Sequence, residues 1–371
     1  MRVYHRSGVE TDWECPRRYY WNYEHDGRGI VPLAVSQPLT VGTVVHAAFD
    51  RLLKGEDLAS FLPEVLRPLG QLPLPVDVMD PTDFVCEQQA LVTGLLAGFT
   101  ARILPRLLTE YEPVRFEKEV YYTHPADPTL VFVCRPDVIM RHRATGSYTY
   151  VEWKTVATGS LQWTLSWSRA VQLHAGAVAA TQLYQLPVTH CLVIGCEKGR
   201  FQDGWQHSPW CYHWRHKKTG DLSPFYRAGW ERTPNWHVPG YSPLDLISPE
   251  DLDGLYPMTQ PIAVDETLVR AFFTGQAVRQ SEIAHALTWM AEARVHNHQR
   301  RIDETMAAVF PQHFSKCLPS FGRSCEFERC CFTQIGADPM ASGLYAWRTP
   351  HHPLEATARG LDVSGVVEEE G

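Results

Sequence analysis

Apolar residues along the 371-residue chain fall into helical and strand-like runs, and these runs predict most of the secondary structure. The stretch 83–111 repeats its apolar residues at helical spacing, which is typical of a helix with one buried face. These apolar positions are Leu91, Leu95, Phe99, Ile103 and Leu107. Runs rich in β-branched and aromatic residues predict four strands, at 115–123, 130–140, 148–155 and 188–196. A helical pattern at about 167–186 separates the last two strands.

The order of these runs, three strands followed by a helix and a fourth strand, predicts the fold class. It is typical of an α/β protein with a mixed central β-sheet flanked by helices and a site at one sheet edge. Helical N- and C-terminal extensions are expected at 12–24, 42–55 and 262–309. Two segments have little periodicity, a Pro- and Leu-rich connector at 56–81 and a tail at 337–371 that is expected to be loosely ordered. An aromatic-rich insertion with many Pro and Gly residues lies at about 199–247.

Three charged residues on neighbouring predicted strands carry the candidate chemistry. Asp137 lies on one strand, and Glu152 and Lys154 lie two residues apart on the next. Glu152 and Lys154 therefore share a face, while Trp153 points away into packing. Carboxylates are the ligands that Mg²⁺ or Mn²⁺ prefers, and a nearby ammonium group positions an attacking water. An isolated Glu-x-Lys pair is usually solvated surface, but the neighbouring acid favours a metal-dependent phosphodiesterase site.

Pro136-Asp137 and Glu152-Trp153-Lys154 resemble the two half-motifs of the PD-(D/E)XK nuclease superfamily. Further features resemble its RecB-like exonuclease branch with an iron–sulfur cluster, of the AddB and CRISPR-adaptation type. The resemblance implies a restriction-endonuclease-like core at about 115–198 inside one nuclease domain spanning 1–336. It also implies that Asp137, Glu152 and the main-chain carbonyl of Trp153 hold Mg²⁺ or Mn²⁺, with Lys154 beside the attacking water.

Two helical motifs add residues to the implied site. Gly42-Thr43-Val44-Val45-His46 opens an apolar helix, and the branch carries a metal-binding histidine in such a Gly-x-x-x-His helix. The resemblance therefore implies His46 as a ligand, although a histidine on an apolar helix face is more often a core residue. Gln172 matches the start of the branch's Gln-x-x-x-Tyr motif, which touches substrate phosphate. Gly176 stands at the tyrosine position, and His174 or Tyr184 are the available substitutes.

The ten cysteines form two groups. Four lie in apolar patterns and are interpreted as small buried residues: Cys86, Cys134, Cys191 and Cys196. One early cysteine in a Cys-Pro-Arg-Arg-Tyr context and a late group resemble the [4Fe–4S] staple of the branch, for which thiolates are the natural ligands. The implied ligands are Cys15, Cys317, Cys325 and Cys331, with Cys330 as the rival for the last position. Zinc at these cysteines stays an alternative.

The aromatic-rich insertion contains a second pattern of metal-binding residue types. Cys211-x-His213-x-x-His216 has spacing that would suit zinc, but alternation around it also suits a half-buried strand, and no second ligand pair follows. We therefore expect no zinc site there.

Composition and charge limit the possible functions. The chain is 44% hydrophobic and 20% charged, as in an ordinary globular protein. An apolar run long enough to span a bilayer is not expected, and the cysteines suggest a reducing cytoplasm, including that of a phage host. The net charge of −8 is unusual for a nucleic-acid binder, so a local basic groove is expected. Its candidate members are Arg17, Arg18, Arg135, Arg169, Arg215, Lys217 and Lys218.

These observations predict a metal-dependent DNA nuclease, most simply an exonuclease that processes DNA ends in recombination, repair or phage DNA metabolism. A Walker motif is not present in the sequence, so ATP-driven unwinding would need a partner. Two alternatives stay open. One is a nuclease subunit that acts only with a helicase or integrase partner. The other is a non-catalytic module that binds DNA ends, which Gly176 at the tyrosine position would allow.

Overall fold

A computed structural model describes most of the chain as strands and helices. The described residues are 1–33, 37–71, 80–116, 118–125, 127–157, 159–202, 205–238, 240–317, 325–333, 338–350 and 352–361. The strands are β1 (Arg2–His5), β2 (Ile30–Pro32), β3 (Tyr111–Phe116), β4 (Val120–His124), β5 (Asp127–Cys134), β6 (Val138–His142), β7 (Tyr148–Val156), β8 (Val188–Glu197), β9 (Arg200–Gln202), β10 (Trp205–His207), β11 (Tyr212–Arg215), β12 (Leu222–Ser223), β13 (Glu231–Pro234), β14 (Ile262–Ala263) and β15 (Tyr345–Trp347).

The α-helices lie before, between and after these strands. They are α1 (Arg6–Glu14), α2 (Pro16–Tyr19), α3 (Gln37–Leu53), α4 (Leu58–Leu66), α5 (Pro81–Gly98), α6 (Leu104–Glu110), α7 (Leu161–Ser166), α8 (Val171–Tyr184), α9 (Pro249–Gly254), α10 (Glu266–Val295), α11 (Gln299–Val309), α12 (Phe314–Cys317), α13 (Glu328–Phe332) and α14 (Pro353–Ala358). Single π-helical turns extend α2 and join α5 to α6.

The central sheet is mixed and has five strands in the order β14-β8-β7-β6-β3. β7 and β8 run parallel, because α8 carries the chain back between them, and the other neighbours are antiparallel. Helices cover both faces: Val151 and Trp153 of β7 pack with α3 and α5, while Tyr150 packs with α8 and α10. The predicted α/β class with a mixed sheet flanked by helices is confirmed. The motif residues belong to β7, the middle strand, and to the residue before its neighbour β6, so they do not lie on the edge strands β14 and β3.

A second sheet, in the order β1-β5-β4, brings the beginning of the chain against the core. β1 pairs in parallel with β5, with His5 opposite Val133. Sequence patterns did not indicate β1, because four residues are too few to show a period. This short strand fixes where α1 begins, and α1 begins beside the candidate site.

Two segments expected to be irregular contain regular structure. The connector at 56–81 includes α4, whose Phe61 is buried in the core, while residues 72–79 lie outside the described part. The expected loosely ordered tail is wrong for 338–350 and 352–361, where β15 pairs with β2 and α14 follows. Arg348 and Glu355 form a buried ion pair there. Ion pairing of this kind leaves no apolar period, so the sequence pattern did not reveal it.

The predicted long helix at 83–111 is present as α5 and α6 with the π turn between them. Among the described residues, Pro81–Glu110 is the one helical stretch that is long and apolar enough to cross a bilayer, which was not expected from the sequence. Half of its apolar window is buried inside the protein, and Leu95, Leu96 and Phe99 are fully buried. Packing in the core accounts for this apolarity.

Candidate active site

Adjacent strands bring Asp137 and Glu152 to the same part of the central sheet. Asp137 immediately precedes β6, and the antiparallel register places Val138 opposite Val151 of β7. Asp137 is also tied directly to β7, because the main-chain N–H of Trp153 donates to Asp137 Oδ2 at 2.6 Å. The two half-motifs, separated by 15 positions in sequence, therefore meet through one main-chain hydrogen bond.

Glu152 is buried and is held by two cations through one of its oxygens. Arg6 Nη1 lies 2.5 Å and Lys154 Nζ 2.6 Å from Glu152 Oε1. The other oxygen, Oε2, is buried and has no hydrogen-bond partner among the described residues. Burial alone would raise the pKa of the Glu152 carboxyl, but Arg6 and Lys154 outweigh it and bring the pKa to about 2. Glu152 is therefore a buried anion with one oxygen still available to a ligand.

His46 contacts Asp137 from α3. Its Nδ1 lies 3.1 Å from Asp137 Oδ1. Gly42, one turn earlier on α3, faces β7: a Cβ there would lie 3.4 Å from Thr155 Oγ1, an ordinary van der Waals distance. Burial lowers the pKa of His46, but the charge of Asp137 and the hydrogen bond to it outweigh burial and raise the pKa. The imidazole and the carboxylate thus stabilise each other, through the Asp137 oxygen that the Trp153 N–H does not contact.

Trp153 and Lys154 have the orientations that strand alternation predicts. The Trp153 side chain is buried between Phe49 of α3 and Phe99, with ring centroids 5.4 and 5.6 Å away. Lys154 is on the opposite face and contacts Glu152, and about a third of its side chain is exposed. Solvent therefore reaches the site on the side of Lys154.

Gln172 is half-buried at the second residue of α8, and in the described part of the chain no hydrogen bond joins it to Asp137, Glu152 or Lys154.

The absence of a tyrosine at Gly176 has a steric explanation: a Cβ there would lie 2.9 to 3.0 Å from atoms of the Tyr150 side chain. Tyr150 is buried, and burial together with the charge of Glu152 raises its pKa well above the usual value. The ring of a β7 tyrosine thus fills the space beside α8.

The substitutes considered for the missing tyrosine have other partners. His174 is buried, with one ring nitrogen near the Ser168 carbonyl and the other near the Asp265 N–H. Tyr184 lies at the far end of α8, under the guanidinium of Arg115. These contacts hold both residues in structural roles.

His46, Asp137 and Glu152 would have to change their side-chain orientations before they could bind one metal ion together. Within the described part of the chain, no three His, Cys, Asp or Glu side chains are gathered closely enough to hold an ion. No hydrogen bond joins Glu152 to His46 or Asp137 there, because Glu152 faces Arg6 and Lys154 while His46 and Asp137 face each other. The donor types nevertheless fit a divalent cation, since the orphaned Glu152 Oε2 is a buried anionic oxygen.

The early and late cysteines interact with one another. Burial raises the pKa of Cys317, and the charges of Cys331 and Cys15 raise it further. Cys325 is held beside them, because its N–H donates to the Cys317 carbonyl at 3.1 Å, and burial raises its pKa to about 11. Cys330 faces elsewhere and hydrogen-bonds with the hydroxyl group of Tyr345. Residues 318–324, between two of the implied ligands, lie outside the described part.

The two ends of the chain are also joined around these cysteines. Arg17, two residues after Cys15, donates from Nε to the Phe310 carbonyl and from Nη2 to the Met306 carbonyl. Arg18 pairs with Glu14 and Glu326. Both arginines therefore join the early segment to residues 306–326, and their membership of a basic groove stays a prediction.

The other candidate ligands and cations have distinct surroundings. His213 is buried, bonded to Asn235 and stacked on Tyr241, and Cys211 contacts the Glu87 carbonyl, so these two do not form a metal site with one another. Arg135 and Arg169 are exposed, and Arg135 stands two residues before Asp137. Arg135 is therefore an exposed residue next to the motif in sequence, and Arg169 is an exposed residue two positions before α8.

The fold and the site define a mixed α/β protein with an acid before one central strand and an acid–lysine pair on the next. Residues 7–332 match the family model of the PD-(D/E)XK nuclease superfamily, and the chain belongs to that superfamily. Its members are generally nucleases and typically use Mg²⁺ or Mn²⁺. A comparison with curated proteins finds no significant match.

Arg6 is the residue of this site that sequence reasoning missed. It lies on neither half-motif and is 146 positions from Glu152. Only the pairing of β1 with β5 reveals that it reaches the centre of the fold.

Proposed function

We propose that this protein is a metal-dependent deoxyribonuclease of the RecB-like type, acting inside the cell as an exonuclease on DNA ends. The observation that carries the proposal is the unpartnered, buried Oε2 of Glu152, one residue from the N–H that holds Asp137. A buried anionic oxygen without a partner is costly unless a cation completes it. Mg²⁺ or Mn²⁺ is the completing group that this superfamily implies.

Asp137, Glu152, His46 and the main-chain carbonyl of Trp153 would hold the ion or ions. A bound divalent cation would supply Lewis acidity and stabilise charge on the phosphate and on the leaving oxygen. Asp137 is oriented for this role by the Trp153 N–H, and His46 approaches it from α3. Lys154 stands on the solvent side of Glu152, where its ammonium group orients the attacking water or helps to remove its proton.

The substrate proposal is DNA, approached through the face that carries Lys154. Arg135 and Arg169 provide exposed cations on the two flanks of the motif, and Gln172 lies at the start of the helix that follows. A few local cations can bind phosphate even in a chain with net charge −8. Action at DNA ends, in recombination, repair or phage DNA metabolism, is inferred from the resemblance to the RecB-like branch.

The test uses purified protein, Mn²⁺ or Mg²⁺, and end-labelled linear DNA beside covalently closed circles. We expect cleavage of linear DNA that stops on addition of a chelator, and loss of cleavage in Asp137→Ala, Glu152→Ala and Lys154→Ala. Arg51→Gln is the matched control, because it removes a partly exposed charge that is paired with Glu56 and Glu64 and not with a motif residue. Cleavage of the circular DNA would show that the protein is an endonuclease and not an exonuclease. Full activity of Asp137→Ala and Glu152→Ala would refute the nuclease site.

A partner-dependent nuclease is the second candidate, and one surface feature favours it. Helix α7 follows the motif strand and exposes Leu161 and Leu165, with 74% and 62% of their surface accessible. The two leucines are one helical turn apart and so lie on the same side of α7, and exposed apolar residues that form a contiguous patch mark contact surfaces. This candidate would be supported if the purified protein alone did not cleave DNA and a helicase or integrase partner restored cleavage. Binding of DNA ends without cleavage in either setting would support a non-catalytic module.

We further propose a [4Fe–4S] cluster held by Cys15, Cys317, Cys325 and Cys331. The support is the mutual interaction of these thiols and the direction of Cys330 toward Tyr345 instead. Burial raises the pKa values of Cys317, Cys325 and Cys331, so a bound metal would have to provide the stabilisation that makes these three thiols thiolates. Protein purified without oxygen should be brown and contain iron and sulfide in similar amounts, and Cys15→Ala should be colourless. Cys330→Ala is the control and should stay brown. Zinc in place of iron would overturn the cluster.

A further inference from the structure

Arg6, the first residue of α1, is bonded at two points of its guanidinium group. Nη1 contacts Glu152 Oε1 at 2.5 Å, and Nε contacts Glu10 Oε1 at 3.1 Å. The Arg6 side chain is 15% exposed, whereas Glu10 is 46% exposed. Glu10 therefore lies at the surface and Glu152 lies inside, with the arginine spanning the two.

The backbone that presents Arg6 is fixed on both sides. β1 pairs along its whole length with β5, and His5 caps α1 by accepting the Gly8 N–H on Nδ1 at 3.2 Å. Further along the same helix, Asp12 makes a two-point ion pair with Arg279 of α10. The start of α1 is therefore a rigid support for a side chain that reaches Glu152.

Neutralising charge does not explain why Glu152 has two cationic partners. Lys154 already contacts the carboxylate at 2.6 Å, on the same oxygen that Arg6 contacts. A lysine on a flexible stem follows the carboxylate wherever it rotates, whereas a planar guanidinium held at two points defines a direction. Arg6 therefore contributes orientation, and the orientation observed leaves Oε2 without a partner.

We propose that Arg6 is a positioning residue of the nuclease, which fixes the Glu152 carboxylate so that Oε2 is the oxygen presented to the divalent cation. The inference rests on the proposed metal-dependent nuclease site. Arg6 itself touches neither substrate nor ion in this role. Its loss leaves Glu152 present but free to turn onto Lys154, and the ion then meets a ligand that must be reoriented.

Binding of Mn²⁺, measured by the electron paramagnetic resonance signal of the free ion, tests this proposal without relying on activity. Arg6→Gln should weaken Mn²⁺ binding by about tenfold, the lower end of what loss of a ligand-orienting residue costs. Arg6→Lys should restore part of the affinity, because it keeps the charge but not both contacts. Glu10→Gln should weaken binding in the same direction by a smaller factor, and since Glu10 is half-exposed this variant should fold normally.

Arg2→Gln is the matched control. Arg2 lies four positions earlier and also pairs with a buried carboxylate, Glu24, at 2.9 Å, but it is not in the site. We expect Arg2→Gln to lower the melting temperature and leave Mn²⁺ affinity unchanged. Arg6→Gln protein that binds Mn²⁺ as tightly as the unmodified chain, or more tightly, overturns the proposal, because Arg6 would then be only a counter-charge.

Glu152→Gln separates the two possible failures. If Glu152→Gln weakens Mn²⁺ binding and Arg6→Gln does not, the positioning role alone is wrong. If Mn²⁺ binding is the same with and without Glu152, the metal-dependent site itself is wrong. Melting temperatures of all variants, measured without metal, show whether any loss of affinity follows from unfolding.

Discussion

Glu152 and Glu355 are both buried carboxylates with pKa values near 2, yet they have different surroundings. Burial alone would raise both pKa values, and arginine partners outweigh it in each case. Arg348 binds both oxygens of Glu355, from Nη1 at 2.6 Å and from Nη2 at 2.9 Å. At Glu152, the contacts from Arg6 and Lys154 fall on Oε1 alone.

Glu355 belongs to an ion pair in which both carboxylate oxygens have a partner, whereas the ion pairs of Glu152 leave one oxygen without a partner. Every carboxylate oxygen of Glu355 is used within the fold, so this residue can hold α14 against β1 but cannot accept another ligand. Glu152 has the same burial and the same acidity with one oxygen left over. A strongly acidic buried carboxylate is therefore not by itself a sign of catalysis, and the unused oxygen distinguishes the two residues.

Replacing each glutamate by glutamine should separate the two roles most strongly. Glu355→Gln leaves Arg348 buried without its counter-charge and should lower the free energy of unfolding by about 3–5 kcal/mol, with specific activity of the folded fraction retained. Glu152→Gln should lower cleavage by roughly a hundredfold or more, the scale of losing one preorganised electrostatic group. Urea unfolding and cleavage assays on the same preparations measure both. Equal stability losses with retained cleavage in both variants would remove the distinction.

The pH dependence of stability should identify Glu355 as part of the fold. Its pKa of about 2 in the folded protein lies below the ordinary value of 4.5, so its stabilisation is complete above pH 4.5 and is lost as the pH falls toward 2. The stability difference between the unmodified chain and Glu355→Gln should shrink by about 3 kcal/mol over that interval. Urea unfolding at pH 5.5, 4.5 and 3.5 measures this trend, and a difference independent of pH would contradict it.

Gly176→Ala should show how tightly α8 packs against Tyr150 of β7. The added methyl group would approach the Tyr150 ring to 2.9 Å, closer than a real Cβ contact, and overpacking of this kind costs about 1–3 kcal/mol. The measurement is the free energy of unfolding, and Gly275→Ala is the control because a Cβ there meets nothing within 4 Å. In a Tyr150→Leu background the cost should fall. An unchanged cost would mean that the ring does not limit this position.

Arg135→Ala should have the smallest effect. It tests the exposed surface at Arg135, two residues before Asp137. If Arg135 binds phosphate, its loss should weaken binding to all DNA sequences alike and reduce the slope of log affinity against log salt by about 1. A fluorescence titration with a labelled DNA end, in Ca²⁺ to prevent cleavage, measures this slope. Arg300→Ala, at an exposed arginine on α11, is the control. Equal slopes for both variants would place DNA elsewhere.

The sequence was sufficient for β7, β8 and the residues of the motif, because the apolar runs of these strands are long and Glu152 with Lys154 followed from strand alternation. The runs 115–123 and 130–140 were each predicted as one strand, which is wrong: each is divided between the two sheets, as β3 with β4 and as β5 with β6. β14 was not predicted, because it has only two residues. β1 and β15 were not predictable, because each has four residues or fewer and depends on pairing with a distant strand.

The parts of the site that sequence patterns missed depend on long-range electrostatics. Arg6 and Arg348 are buried arginines, and a buried arginine looks like a surface residue in any hydrophobic pattern. Their roles follow only once Glu152 and Glu355 are placed in space. Gly176 is a related case, since the reason for a small residue there is the Tyr150 ring on another element.

The parallel pairing of β1 with β5 has a consequence for the order in which the protein folds. During synthesis β1 leaves the ribosome long before β5 and β7 exist, and His5 meets Glu355 only after the central sheet and α14 have also been made. Contacts of such high sequence separation form late and slowly. A chain whose Arg6 is set in place by these contacts would acquire an ordered candidate site late in folding, after β5 and β7 have been synthesised.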